Sequence, residues 1–159
     1  LEASRRTVRS EVDFVLTFEE LMGLFEAKGV DFAALPDDEN DTFDDASGDG
    51  RGFAVSGGVA QAVVNAIHKI DPEREVKVAS AQGLSDCRKM MTMAKAGKYN
   101  GYLLEGMACP GGCIAGAGTL ADPGRSAAML AKYKATAPMA SALETPYKDS
   151  LNYLKYRLL

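Results

Sequence analysis

Two of the three cysteines in this 159-residue chain stand four positions apart, in "EGMACPGGCIAG" (105–116), directly after an apolar stretch. Between Cys109 and Cys113 lie Pro110, Gly111 and Gly112. Proline fixes φ and offers no N–H, while glycine permits positive φ and close backbone approach. A turn of this composition can aim both sulfurs at one object, and backbone N–H groups left free in it can donate to an anion or to cluster sulfides. Three chemistries suit such a pair. An iron–sulfur cluster takes thiolates, and two cannot complete a four-thiolate site. Zinc needs two further Cys or His ligands and usually takes cysteines with two residues between them. The redox dithiol motif also has two intervening residues, against three here. A purely structural pair is the fourth reading. His68, the single histidine, falls on a helical pattern and reads as a surface residue. Cys87 lies within another helical pattern beside Arg88 and Lys89 and reads as a small buried hydrophobe.

The elements that position the turn follow from periodicity and punctuation. "EVDFVLT" (11–17) reads as a buried strand, and Thr17 with Glu20 as a capping box opening a helix that Gly29 ends. "VDFAALP" (30–36) is expected to be extended. "DDENDTFDDASGDG" (37–50) reads as a solvated acidic loop with seven acids and no base. "GFAVSGGVAQAVVNAIHKI" (52–70) is expected to be a short strand, a Ser-Gly-Gly turn and an apolar helix entered near Ser56. "REVKVAS" (74–80) alternates like a strand. A helix over 85–97 capped by Ser85, a strand over 99–108, and helices over 122–137 and 145–159 complete the pattern. Strands alternating with helices imply an α/β fold with a largely parallel sheet flanked by helices. Ligands of such sheets sit beyond the carboxyl ends of strands, and the turns at 53–59 and 107–118 are both placed there.

Bulk properties narrow the function. A formal net charge of −4 gives no general attraction to nucleic acid or anionic membranes. No apolar run approaches the ~20 residues of a bilayer span. "LEASRRTVRS" (1–10) is basic and polar with no apolar stretch after it and does not read as a signal peptide. An odd, small number of cysteines favours a reducing compartment, so a cytoplasmic location is expected. Because the chain starts at Leu1, it reads as a piece of a larger protein. Two motif matches fail on inspection. Gly116, Gly118 and Ala121 imitate a dinucleotide fingerprint but do not follow a strand directly. Asp45, Ser47, Asp49 and Gly50 imitate a calcium loop whose twelfth place, Ser56, lacks the required Glu. Met90, Met91 and Met93 read as helix packing, and Arg5, Arg6 and Arg9 as a solvated face.

"EGMACPGGCIAGAG" resembles the last signature of the iron-only (FeFe) hydrogenases, Glu-x-Met-Ala-Cys-Pro-x-Gly-Cys followed by a glycine-rich tract. "FAVSGGVAQAVV" resembles that family's Phe-Gly-Ala-Thr-Gly-Gly-Val segment. "VDFVLTFEELMGLFEAKGVDFAALPDDE" resembles the stretch between its second and third signatures, and the resemblance runs from about Leu1 to about Tyr133. It implies one lobe of the hydrogenase catalytic domain over 1–159. The active site would be a 4Fe–4S cubane joined to a two-iron unit, the H-cluster, interconverting protons, electrons and H2. By position, Cys109 would bind the cubane, and Cys113 would bind the cubane and bridge to the two-iron unit. Met107 would pack beside that unit, and Phe53, Ala54, Ser56 and Val59 would form its apolar wall. Glu2 matches the Glu closing the second signature. The two remaining cysteines, the proton-relay cysteine and the dithiolate-contacting lysine are expected before Leu1. Expected partners are that N-terminal part of the same domain, a ferredoxin or similar electron carrier, and H2 and protons. The chain alone is expected to be inactive. "GAGTL" replaces the common Gly-Gly-Gly-Gln-Pro, and Ala54 a glycine, as in a divergent branch. The rivals are a non-enzymatic prelamin-recognition-factor-like iron–sulfur protein, a sensory hydrogenase-like module, and a two-cysteine redox switch.

Overall fold

The computed structural model describes residues 13–36 and 45–147, which fall into two compact units. Leu1–Asp37 with Ala117–Leu120 make up the first. Its helix α1 (Phe18–Ala27) opens on the expected capping box: the Glu20 amide donates to Thr17 Oγ1 at 3.2 Å, and the Thr17 amide donates to Glu20 Oε2 at 2.8 Å. Gly29 adopts φ +65°, and the Val30 N–H reaches back to the Phe25 carbonyl at 2.9 Å, closing the helix as a Schellman motif. Beyond it the expected extended segment is instead a 3-10 helix, Phe32–Ala34. The Asp31 carboxylate accepts from the Ala33 amide at 3.0 Å, and this Asx turn overrides the strand-like composition. Phe32 then stacks on Phe25 with ring centres 5.8 Å apart. The expected strand over 11–17 does not form at 13–17, and 11–12 lie outside the described residues, as do Glu2, Arg5, Arg6 and Arg9.

Asp38–Gly116 with Ala121–Leu159 form the second unit. Ser47 caps the single turn α2 (Gly48–Arg51), its Oγ accepting from the Gly50 amide at 3.0 Å. The reading of 37–50 as a solvated loop is corrected here for its last residues. Asp49 is only 6% exposed, with Asn65 Nδ2 donating to its Oδ1 at 2.7 Å, and Ser47, Gly48 and Arg51 are buried beside it. The Gly48 and Asp49 amides donate to the Met139 and Ala140 carbonyls at 2.8 and 2.9 Å, so a distant segment covers the loop. Residues 37–44 lie outside the described residues. Where a strand was expected at 52–55, the chain continues as a 3-10 helix, Gly52–Ala54.

The long helix α3 (Gly58–Ile70) follows, then strand β1 (Lys77–Gln82), helix α4 (Leu84–Lys95), strand β2 (Tyr102–Met107) and helix α5 (Pro123–Ala135). β1 and β2 pair in parallel, in a register running from Lys77 opposite Tyr102 to Gln82 opposite Met107. α4 makes the crossover and packs on both strands, while α3 packs on β2. The architecture is therefore α/β, with a two-stranded parallel sheet and helices. The expected Ser85 cap is replaced by Gly83, whose φ of +82° swings the chain straight from strand into helix while its N–H donates to the Met107 carbonyl at 2.8 Å. α5 matches its sequence signals: Asp122 Oδ1 accepts from the Arg125 amide at 2.9 Å and proline stands in the first turn. Of the helix expected over 145–159, residues 148–159 lie outside the described residues. Among the described residues no helix is long and apolar enough to cross a membrane.

Candidate metal-thiolate site

β2 delivers the chain into the cysteine turn at the carboxyl end of the sheet, where a parallel α/β layer places its ligands. Cys109 is half-buried, Cys113 is exposed, and both thiols are free. Gly111 has φ +87°. Gly112 has φ +98° and ψ −169°, a conformation essentially confined to glycine. Gly112 also lies backbone-to-backbone against the 54–56 segment. A Cβ added to it would meet the Ala54 carbonyl oxygen, the Ser56 nitrogen at 2.6 Å and the Val55 carbonyl carbon at 2.9 Å. Gly111 is held from both sides: its N–H donates to Gln82 Oε1 at 2.6 Å, and its carbonyl accepts from the Ser56 amide at 3.2 Å. The Gly112 N–H donates back to the Cys109 carbonyl at 3.0 Å, and Cys113–Ala115 form a 3-10 helix on which α5 packs. A Cβ on Gly116 would stand 3.4 Å from Cys109 Sγ, so the tract after the cysteines is lean where the sulfur sits.

Of the anticipated wall residues, Ala54 and Ser56 are thereby brought to the turn through their backbone. Phe53 is 46% exposed, and Ala54, Ser56 and Val59 are intermediate. Met107 closes β2, half-buried, its carbonyl fixed by the Gly83 amide. Cys87 does not join the pair. Its Sγ lies 3.6 Å from each of the Ala81 and Met107 carbonyl oxygens, and a Cβ on Gly106 would stand 3.2 Å from it, as suits a packed small hydrophobe. His68 is exposed, its Nε2 3.1 Å from the Arg74 carbonyl oxygen. Among the described residues no group of three or more His, Cys, Asp and Glu side chains converges on a point.

Two residues of the site were not anticipated. Gln82, at the end of β1, is one. Glu105 is the other: it is 7% exposed, and its Oε1 accepts from the Val59 and Ala60 amides, both at 3.1 Å. These are the second and third positions of α3, the donors that a local N-cap side chain would normally satisfy. The helix has none of its own, because Gly57 at φ +90° is the cap. A lone acid within "YLLEGM" was the available signal, since a carboxylate in an otherwise apolar strand demands a buried partner.

Cys109 and Cys113 thus stand as two free thiols on one glycine-locked turn at the carboxyl end of the sheet. The profile of the family described as "Iron only hydrogenase large subunit, C-terminal domain" matches residues 1–117. The "Periplasmic [Fe] hydrogenase large subunit" of Nitratidesulfovibrio vulgaris is 32% identical over 146 residues, covering 75% of this chain and 35% of the relative. The "NADP-reducing hydrogenase subunit HndD" of Solidesulfovibrio fructosivorans is 32% identical over 138 residues, covering 68% of this chain and 23% of the relative. The chain belongs to the iron-only hydrogenase large-subunit family, and it spans about a third and about a quarter of the length of these two relatives.

Proposed function

We propose that the chain is the C-terminal lobe of an FeFe-hydrogenase catalytic domain and supplies two of the four cysteine ligands of an H-cluster. The observation that carries this reading is the pair of free thiols on a turn whose backbone is locked against residues 54–56. The donor set fits the group in kind. Two free thiols within one turn suit the iron of a cubane. When bound, the cluster supplies reversible proton reduction and H2 oxidation. The chain's own residues hold and shield. Cys109 would hold the cubane, and Cys113 would hold it together with the two-iron unit. Met107, Phe53, Ser56 and Val59 exclude water from one side, since the apolar shell of a metal site controls solvent access and the local dielectric. Gln82 and Ser56 fix the turn by gripping Gly111. The complementary ligands come from the N-terminal part of the same domain, electrons from a ferredoxin or similar carrier, and this chain alone is inactive.

The test is made on the full-length protein, matured anaerobically. Cys113→Ser is expected to abolish carbonyl vibrations and viologen-linked H2 evolution, with bound iron falling by more than half. A parent protein with neither cubane signals nor carbonyl bands ends the reading. A parent with a cubane signal, no carbonyl bands and no H2 chemistry belongs instead to the non-enzymatic iron–sulfur class.

A further inference from the structure

We infer that Glu105 is a positioning residue that sets the spacing between the cysteine turn and the apolar wall. The inference rests on the hydrogenase reading only for what lies between those two parts; the tether itself is a property of this chain. Glu105 stands two residues before Met107 and four before Cys109 on β2. Residues two apart on a strand share a face, so Glu105 and Met107 look to the same side. On that side Glu105 Oε1 holds the Val59 and Ala60 amides at 3.1 Å. The first turn of α3 is thus fastened to the strand that carries the cysteines. α3 has no side-chain cap hydrogen bond of its own, because its N-cap is Gly57. An apolar residue would satisfy a strand flanked by Leu103 and Leu104 better than a carboxylate 7% exposed, so the acid is there for what it holds. Its second oxygen, Oε2, is buried with no hydrogen-bond partner among the described residues. Only one oxygen is therefore engaged in the tether, and an amide side chain can reproduce that half of the contact.

The experiment compares Glu105→Ala, Glu105→Gln and Glu105→Asp in the full-length, anaerobically matured protein. Glu105→Ala is expected to speed hydrogen exchange at the Val59 and Ala60 amides by about tenfold or more. It is also expected to shift or broaden the paramagnetic and carbonyl signatures of the cluster. Glu105→Gln, which keeps an acceptor at the same reach, is expected to stay near the parent in both. Glu105→Asp keeps the acid but is one methylene short, and is expected to follow Ala. If Ala does not accumulate folded, the Gln–Asp pair decides. Parental exchange and spectra in Asp overturn the inference, as do equal spectral shifts in Gln and Asp, which would make charge rather than reach the determinant. If the parent itself takes up no iron, the hydrogenase reading fails, and the exchange of Val59 and Ala60 in the same variants still judges the tether.

Discussion

The α1 segment and the cysteine turn are built by opposite means. α1 is specified within itself: its capping box, its Schellman close and its Phe25–Phe32 stack all join residues fewer than ten apart. Yet none of its residues is buried, and the approach to it leaves Phe14 85% and Val15 86% exposed. The cysteine turn has one internal hydrogen bond, from Gly112 to Cys109, and a 3-10 helix after it, but its placement comes from outside. Gln82, Ser56 and the 54–56 backbone hold it, and Glu105 holds the helix behind that backbone. Local signals can thus complete an element without burying it, while a chemical site is assembled from contacts that no local pattern announces. A helix needs only its own hydrogen bonds to form, whereas two sulfurs must be fixed relative to something outside their loop.

The same substitution placed in the two regions breaks or sharpens this contrast. Gly112→Ala forces a side chain into the Ala54–Ser56 backbone at a φ of +98°. Strain and overpacking together predict a loss of roughly 2–5 kcal/mol, read by urea unfolding of the second unit. A loss below about 0.5 kcal/mol, the range of an ordinary surface substitution, would mean that the turn is not locked. Gly23→Ala, in the middle of α1, meets no atom within 4 Å. It is expected to act with the opposite sign, stabilising the helix by about 0.5–1 kcal/mol, because alanine loses less backbone freedom than glycine. Slower amide exchange across Phe18–Ala27 checks it. A destabilised helix would show that the exposed face of α1 relies on contacts beyond its own turns.

What could be read from the chain alone follows the same division. Thr17, Glu20 and Gly29 announce α1, Asp122 and Pro123 announce α5, and Gly111 and Gly112 announce a tight turn with close backbone approach; all of these are structured as expected. The misreading of 30–36 was decided locally, by the Asp31 side chain, but others arose where the deciding partner is far away in sequence. Asp49 looks solvated among its acidic neighbours, but Asn65 and the carbonyls of Met139 and Ala140 enclose it. The first half of the strand-like "FAVS", Phe53 and Ala54, becomes a 3-10 turn because α2 runs directly into it, and a Cβ on Gly58 would collide with the Gly52 carbonyl, so the two segments pack as bare backbone. Ser56 has the chemistry of a cap, but the N-cap position falls on Gly57 and the capping passes to Glu105, 46 residues beyond Val59. No periodicity within a window of one element contains that information.

Distance along the chain does not by itself make a contact strong, and Tyr147 tests this. Its phenol donates to Asp45 Oδ2 at 2.8 Å across 102 residues, at an exposed position. The hydrogen bond and the nearby negative charge hold the phenol above its usual range, because losing its proton would set two anions side by side. The sign follows from that direction. A raised folded-state value stabilises the fold fully below about pH 10, and the contribution is lost as pH rises through the folded value. Solvent screening makes it the smallest of the expected effects. Titration of the phenol ring carbon by NMR should therefore show a midpoint that Asp45→Asn lowers toward about 10. The same variant should leave the amides of Val59 and Ala60, held by a buried carboxylate over less than half that sequence separation, exchanging at their parental rates. An Asp45→Asn protein in which those amides exchange faster would mean that the exposed rim supports the site, and that burial is not what separates the strong long-range contacts from the weak ones.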